Sequence, residues 1–497
     1  MIFSSFILQS YSLRVALLLV LLVGIALHLR TLFSDLISEK PAYISNTIAA
    51  HPVEKLHLQN TRKFEILISS QSKTPEEAIK AYKTRYSRNP PLGFEDWVRF
   101  ALSHNSSIID NYDIIEERIA PFRSISPSDL KQRMKSWIEH ADKAYGTISI
   151  RDGKFTQGGE WFRTTLDSIV DKLPDMDILL NHLDEPRIVG NENTNQVKLD
   201  DLAGKNSWPI LTQSCKFSHQ TKKNIWGTNA QGDRFVEDTQ KELDICAHPE
   251  YQKKHGFLNA PSNLRATRVL VPFVSTLSLT TMFDIIAPGL DYVDVHYIGD
   301  TPDKTPYAEK KTQLYWRGST TGSLFNEDSW NHNQRIRFVQ KFAGHPMFNV
   351  GISAFIQCGS FCDKLKQLVG LTPAEHATAG FDYKYAMDLD GNGYSGRYYR
   401  LLESNCLVFK QTLFEQWHDD RLVPWVHYVP VSMGMDELES AVNYFSNDAK
   451  GKAYGENIAN AGRDWATKVL RPIDMTIYTY RLLLEYGALF NKTVTRG

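Results

Sequence analysis

The segment YKYAMDLDGNGYSGRYYRLLESNCLVFKQ, residues 383–411, gathers more potential chemistry than any other stretch of this sequence. It reads strand, glycine-rich loop, helix, strand. The loop GNGYSG carries Gly393 and leads to a helix whose first turn is expected to hold Ser395, Gly396 and Arg397. A helix N-terminus offers free amide donors and partial positive charge, which suits a phosphate. Arg397 and Arg400 add charge-assisted bonds. The alternative is a tight turn whose arginines face water, because glycine-rich strand–helix turns are common. Farther along the same helix, Glu403 is placed to reach a ribose. A second loop has the same design: LYWRGSTTGS, residues 314–323, is a strand ending in Arg317, Gly318, Ser319 and more hydroxyls. Those groups can line a nucleotide or form a solvated loop.

Two sets of carboxylates compete for catalytic or metal roles. In LPDMDILLNHLDEPRI, residues 173–188, an apolar strand ends at a turn carrying Asp184 and Glu185, closed by Pro186. Loops after the strands of an α/β sheet form its ligand crevice. A carboxylate there can take a proton from a hydroxyl, although acidic residues before proline are also common turn formers. Asp388-Leu-Asp390 has the spacing of a DxD pair that holds a divalent cation in many sugar-nucleotide enzymes. It sits at a strand end, where carboxylates cap turns, and the capping role is preferred to the metal. His219, His248 and Glu250 form no recognisable ligand set, and no CxxC repeat with histidine at zinc spacing appears.

The elements that must position these residues alternate. Thr74-Pro-Glu-Glu77 is a capping box that starts a helix, Asn89-Pro-Pro-Leu-Gly93 stops it, and PSDLKQRMKSWIEHAD opens another with Ser128 as its cap. From about residue 145 short apolar runs predict strands: GTISIRDG, MDILLNH, ATRVLVPFVS, YVDVHYIG, TQLYWRG, FDYKYAMDLDG, CLVFKQ and WVHYVPV. Helical stretches lie between several of them, as in NQRIRFVQKFAGH, SGRYYRLLESN and SMGMDELESAVNYF. The alternation predicts α/β layers with mostly parallel sheets. Residues 300–311 are polar and are the expected hinge between two units. The tail is helical except at Pro472.

At 497 residues the chain is long enough for two sizeable cores. A formal net charge of −1 leaves no basic field to attract nucleic acid, so an anionic ligand must be met locally. The run SLRVALLLVLLVGIALHLR, residues 12–30, is long enough for a short transmembrane helix. No small-x-small cleavage site follows it, so a retained signal anchor is preferred to a cleaved signal peptide. Arg14 before it and Asp35 and Glu39 beyond it predict a cytoplasmic tail over 1–11 and a lumenal body. Residues 31–72 read as a stem. Sequons at Asn105 and Asn491 fit a lumenal body. Of five cysteines, Cys215 with Cys246, or Cys358 with Cys362, can pair in an oxidising compartment.

In order along the chain, LPDMDILLNHLDEP, TMFDIIAPG, LYWRGSTTG, YKYAMDLDGNGYSGRYYRLLESNCLVF and PWVHYVPV resemble glycosyltransferase family 90. This is the family of fungal capsule-associated proteins and animal protein O-glucosyltransferases, with its CAP10-like domain. The upstream PPLGFEDWVRFA and IIDNYDIIEERIAPF resemble its fungal-type members. The resemblance implies a GT-B architecture, two Rossmann-like domains facing a cleft: an acceptor side over 73–300, a nucleotide-sugar side over 301–465, and helices over 466–497 that cross back. It implies an inverting transfer of xylose or glucose from a UDP-sugar to a glycan or glycoprotein hydroxyl, in the endoplasmic reticulum or Golgi, with no required metal cofactor. Asp184 occupies the place of the family's general base in N-x-R-D-x-P, with Leu183 standing where the motif has arginine. Arg317 matches the R-G-S loop, and Ser395 and Arg397 match the S-x-R at the diphosphate. Asp388 and Asp390 stand where the animal enzymes are not acidic, which leaves Mn²⁺ open for this branch. The alternative is a non-catalytic carbohydrate- or nucleotide-binding protein of the same fold. A glycoside hydrolase, which needs two opposed carboxylates, ranks third.

Overall fold

The computed structural model describes residues 51–158, 163–217, 226–228, 232–289, 292 and 302–491. The apolar run 12–30 lies outside the described residues, and among those described no helix is long and apolar enough to cross a membrane. YVDVHYIG also lies outside them apart from Tyr292.

The body opens with helices. Residues Pro52–Ser69, expected as part of a stem, form α1. Its buried apolar residues are Pro52, Val53 and Leu56, too short a stripe to stand out in the sequence. α2 (Pro75–Tyr86) starts as expected, with Thr74 accepting from the Glu77 N–H at 3.2 Å. α3 (Phe94–Ser103) follows the double-proline break and α4 (Asp113–Ile119) follows it. α5 (Pro127–His140) is capped by Ser126 rather than Ser128, its hydroxyl accepting from the Asp129 N–H at 3.1 Å. Pro127 decides this, because proline suits the first helical position and puts the cap immediately before it.

The first sheet holds β1 (Tyr145–Arg151), β2 (Lys154–Gln157), β3 (Met176–Asn181), β4 (Phe273–Ser275) and β5 (Ile285–Ile286), in the order β5-β4-β3-β1-β2. β3, β4 and β5 run parallel, while β1 is antiparallel to both β2 and β3. The sheet is therefore mixed rather than mostly parallel. Asp152-Gly153 makes the difference: both residues have positive φ, 48° and 68°, as a two-residue hairpin turn requires. ATRVLVPFVS is two strands. Arg265–Val269 joins a small sheet with Ile188–Glu192 and Asp200–Asp201, and Pro272, which has no N–H for a ladder, separates it from β4.

The second sheet is wholly parallel: β6 (Lys311–Ser319), β7 (Phe348–Ala354), β8 (Tyr383–Leu389), β9 (Leu407–Gln411) and β10 (Val429–Pro430), in the order β7-β6-β8-β9-β10. Every residue of β9 is buried, as a strand covered on both faces should be. Of WVHYVPV only Val429–Pro430 pairs, because Trp425 turns at φ 64° and its N–H bonds to the Tyr428 carbonyl at 2.7 Å. α6 (Gln334–Phe342), α7 (Cys362–Val369) and α8 (Tyr398–Glu403) lie between these strands. The expected hinge is pinned to this sheet: buried Lys310 meets Asp303 at 2.6 Å, and Asp303 also accepts from the Asn405 N–H at 2.9 Å.

α9 (Leu438–Asn447), α10 (Ala449–Val469) and α11 (Pro472–Ala488) complete the chain, with Pro472 at the start of α11 as its chemistry favours. α11 is buried continuously from Asp474 to Gly487 and packs against the amino-terminal helices and first sheet. The Trp97 indole donates to the Ile477 carbonyl at 2.9 Å, and the Tyr486 hydroxyl donates to the Asp177 carbonyl at 3.1 Å. Both expected disulfides are present, Cys215–Cys246 and Cys358–Cys362, with Cα separations of 5.3 and 4.8 Å, and Cys406 is a buried free thiol.

Candidate active site

The turn after β3 is built by its own side chains. Asn181 closes it: Nδ2 donates to the Glu185 carbonyl at 2.7 Å, and Oδ1 accepts from the Leu183 N–H at 3.0 Å. Glu185 points inward, its carboxylate accepting from the Ser262 N–H, the Ser262 hydroxyl and the Asn263 N–H at 2.8, 2.8 and 2.9 Å. Burial, helped by the charge of Asp184, pushes the Glu185 carboxyl up to about 7 against those bonds. Asp184 is left exposed on the outside of the turn. Two adjacent carboxylates thus have different fates, one a tether and one facing a cleft.

Across from this turn lie the carboxyl ends of β6 and β8. In a parallel sheet of this strand order, the connections from these neighbouring strands leave toward opposite sides, which opens a crevice beyond their ends. β6 delivers Arg317 and Gly318, and β8 runs into the glycine loop. α8 begins only at Tyr398, with Arg397 in the capping position, so Ser395 and Gly396 precede the helix instead of occupying its first turn. The loop folds back early, the Gly391 N–H donating to the Gly393 carbonyl at 2.8 Å. Side chains, rather than a helix end, therefore supply most of its polar groups.

Arg335 of α6 fastens this loop. Its Nε donates to the Asp390 carbonyl at 2.7 Å, Nη1 to the Ser319 carbonyl at 3.0 Å and Nη2 to the Leu389 carbonyl at 3.2 Å. Burial and then the neighbouring Arg397 push Arg335 down to about 9. Arg397 Nη1 donates to the Arg317 carbonyl at 2.7 Å. Arg317 in turn is held by the Asn349 carbonyl at 2.9 Å and side-chain oxygen at 2.6 Å, with Glu375 at 3.6 Å. The Arg400 guanidinium lies 5.2 Å from the centre of the Phe381 ring. It makes no ion pair among the described residues. Burial lowers both Arg397 and Arg400. Arg317 Nε, Ser395 Oγ and Arg400 Nε are buried without a hydrogen-bond partner. Clustered, desolvated cations with spare donors call for an anion.

Between the two walls lies a cleft of about 800 Å³, within the roughly 300–1,000 Å³ usual for small-molecule sites. Asp184 lines one wall, and Arg317, Gly318, Gly393, Ser395, Gly396, Arg397 and Arg400 line the other. The walls meet closely at the glycine loop. A Cβ on Gly393 would stand 2.2 Å from the Asp184 carbonyl oxygen, so only glycine fits there. Beside it, Asn392 Nδ2 donates to Asp184 Oδ2 at 3.2 Å.

Ser319 and Glu403 are not among the cleft residues. The Ser319 carbonyl is occupied by Arg335, and Glu403 is exposed on α8. Asp388 and Asp390 lie beneath the loop, both buried. Asp388 pairs with Lys410 at 3.2 Å, and Asp390 accepts from the Leu413 N–H at 2.7 Å. With an ammonium already on Asp388, the pair does not fit a divalent cation. Among the described residues no group of three or more His, Cys, Asp or Glu is placed to hold a metal. Sequence reasoning passed over Asn392, Arg335, Tyr315 and Glu375. Tyr315 donates to Glu375 at 2.6 Å, forming a side of the cleft. An asparagine between two glycines was the one available signal among them.

Residues 292–497 match the family model described as Glycosyl transferase family 90, a stretch that holds the second sheet, its loops and the final helices but not Asp184. The chain is 26% identical over 191 residues to O-glucosyltransferase LpsA of Dichelobacter nodosus, covering 37% of this chain and 52% of that protein. It is 30% identical over 224 residues to protein O-glucosyltransferase 3 of Homo sapiens, covering 44% and 42%. To the O-glucosyltransferase rumi homolog of Aedes aegypti it is 34% identical over 119 residues, covering 23% and 28%. The chain thus spans about half or less of the length of these relatives. The likeness to glycosyl transferase family 90 thus rests on residues 292–497, the part of the chain that forms the second sheet and the final helices.

Proposed function

We propose that this chain is an inverting glycosyltransferase that moves a sugar, glucose or xylose, from a UDP-sugar to a hydroxyl of a glycan or glycoprotein. The observation that carries this reading is the asymmetry of the cleft: one exposed carboxylate on one wall, and desolvated arginines with unpartnered donors on the other. The names of the relatives, all O-glucosyltransferases, favour glucose.

The reaction follows from that asymmetry. Asp184 takes the proton of the acceptor hydroxyl as its oxygen attacks the anomeric carbon. The bond from that carbon to the diphosphate breaks on the opposite side, and UDP leaves with the electron pair. Negative charge grows on the diphosphate in the transition state, where Arg397, Arg400 and the Ser395 hydroxyl stabilise it out of bulk water. No step requires a metal, since arginines do the work a divalent cation would do. Two disulfides fit an oxidising lumen, and the apolar run 12–30 would anchor the body to a membrane of the endoplasmic reticulum or Golgi.

The test is a transfer and donor-hydrolysis screen of the full-length chain against a panel of UDP-sugars, with and without Mn²⁺. One donor is expected to be consumed, with or without the metal, and Asp184→Asn is expected to abolish transfer while keeping UDP binding. Transfer at the wild-type rate by that variant would remove Asp184 as the base. UDP binding with no donor consumed on any acceptor would make the fold a binding module.

A further inference from the structure

Among the described residues, the Asp184 side chain has no hydrogen bond from its own wall. Within its turn, the described hydrogen bonds of Asn181 and Glu185 fix the backbone and leave the Asp184 carboxylate aside. Its side-chain contact comes from the opposite wall, from Asn392. The orientation of that amide is determined by chemistry. Asn392 Oδ1 accepts from the Gly322 N–H at 2.9 Å. A backbone N–H can only donate, so the amide oxygen must face Gly322 and the NH₂ must face Asp184.

Both ends of this bridge are rigid. The glycine loop is held by Arg335 and by Gln334, whose Nε2 donates to the Asp390 carbonyl at 2.9 Å. Gly322 has φ 109°, and a Cβ there would meet Gln334 Nε2 at 2.6 Å and the Gly391 carbonyl oxygen at 2.9 Å. The loop that follows Arg317, the glycine loop and the Asp184 turn therefore meet at one asparagine.

We propose that Asn392 is a positioning residue for transfer: it fixes Asp184 by one oxygen and ties the base to the two donor-side loops. The inference rests on the reading of Asp184 as the base. A neutral amide is suited to this role. It occupies Oδ2 and leaves Oδ1 for the acceptor hydroxyl, without the charge of an arginine, which would make the carboxylate a weaker base.

Asn392→Asp in the full-length chain is the decisive variant. It keeps the shape and still accepts from Gly322, but it replaces the donor to Asp184 with a second carboxylate. Turnover is expected to fall roughly tenfold or more, since small misplacements of a catalytic group can cost about a hundredfold. The acid limb of the pH–kcat profile is expected to move up by about one pH unit, because like charges disfavour ionisation. UDP affinity, measured by calorimetry, should fall by much less than turnover, through the added charge alone. Wild-type turnover and pH profile in this variant, alongside an inactive Asp184→Asn, would overturn the role of Asn392 and leave the base assignment standing. Joint loss of UDP binding, thermal stability and turnover with an unmoved pH limb would make Asn392 merely structural. Transfer by Asp184→Asn would sink the base assignment and this inference with it.

Discussion

The turn after β3 and the loop after β8 face one another across the cleft, and both leave strand ends with paired acidic residues, yet they spend those residues differently. In the first, Glu185 is consumed by three hydrogen bonds and Asp184 stays exposed. In the second, Asp388 and Asp390 are both buried, with one oxygen of each engaged, by Lys410 and by the Leu413 N–H, and the other without a hydrogen-bond partner. Among the residues of that loop and its helix that line the cleft, the unpartnered polar atoms belong to Ser395 and Arg400. The difference teaches that what a loop offers the cleft is the hydrogen-bonding capacity it leaves exposed there, while its buried carboxylates hold it in shape. One wall thus presents an exposed carboxylate to the cleft, and the other presents desolvated arginines.

If that division is right, breaking the tether beneath the glycine loop should cost stability rather than ligand recognition. Lys410→Met leaves the Asp388 carboxylate buried without its cation. Breaking such a pair destabilises by about 3–5 kcal/mol, read as a fall in the denaturation midpoint. UDP affinity of the folded protein is expected to hold. Asp388→Asn combined with Lys410→Met should recover most of the loss, since no unpaired charge remains. A Lys410→Met protein that unfolds normally but fails to bind UDP would place Asp388 and Lys410 in the binding site and end the comparison.

The converse variant is Arg397→Ala. Its one hydrogen bond, to the Arg317 carbonyl, is a modest contribution to the fold. On the proposed reading it donates to developing charge, a contribution typically worth about 3 kcal/mol of barrier, so turnover should fall about a hundredfold while the thermal midpoint changes little. Equal losses of stability and turnover would make it one more strap like Arg335.

The sequence makes the second sheet more legible than the first, for a physical reason. Buried parallel strands such as LYWRG and CLVFKQ are continuous apolar runs, and the loops of this sheet carry the arginines and glycines that line the cleft. In the first half, strands of two or three residues, such as Ile285–Ile286, are set by tertiary pairing and leave little pattern. Asp152-Gly153 did signal a hairpin, but only as a dipeptide at the end of GTISIRDG. That Asp184 sits in a turn after a strand was legible from the apolar run before it. Asn392 was not, because its partners, Gly322 and Asp184, are 70 and 208 residues away. Glu403 illustrates the opposite error: helical spacing from the loop put it near a ribose, but α8 starts three residues late and Glu403 is exposed.

The smallest of the expected effects tests the other tether. The Glu185 carboxyl is pushed up to about 7 from its ordinary 4.5. Above its ordinary value the unfolded chain has released this proton, while the folded protein still holds it. Folding is thus favoured most below about 4.5, and that advantage is lost as pH rises through about 7. The loss between pH 5 and 7 amounts to roughly 2 kcal/mol for a group shifted this far. Other buried groups titrate with their own signs. His427, held down to about 3 by burial, removes stability as pH falls below 6.5. A wild-type curve alone therefore does not isolate Glu185, but a difference curve does. Glu185→Gln changes the hydrogen bonds to Ser262 and Asn263 by an amount that does not depend on pH, and it removes the proton. Plotted against wild type, its stability should climb steadily from pH 5 to 7, whatever constant offset it carries. A flat difference would mean that Glu185 is ionised throughout, and that the hydrogen bonds of the turn outweigh its burial.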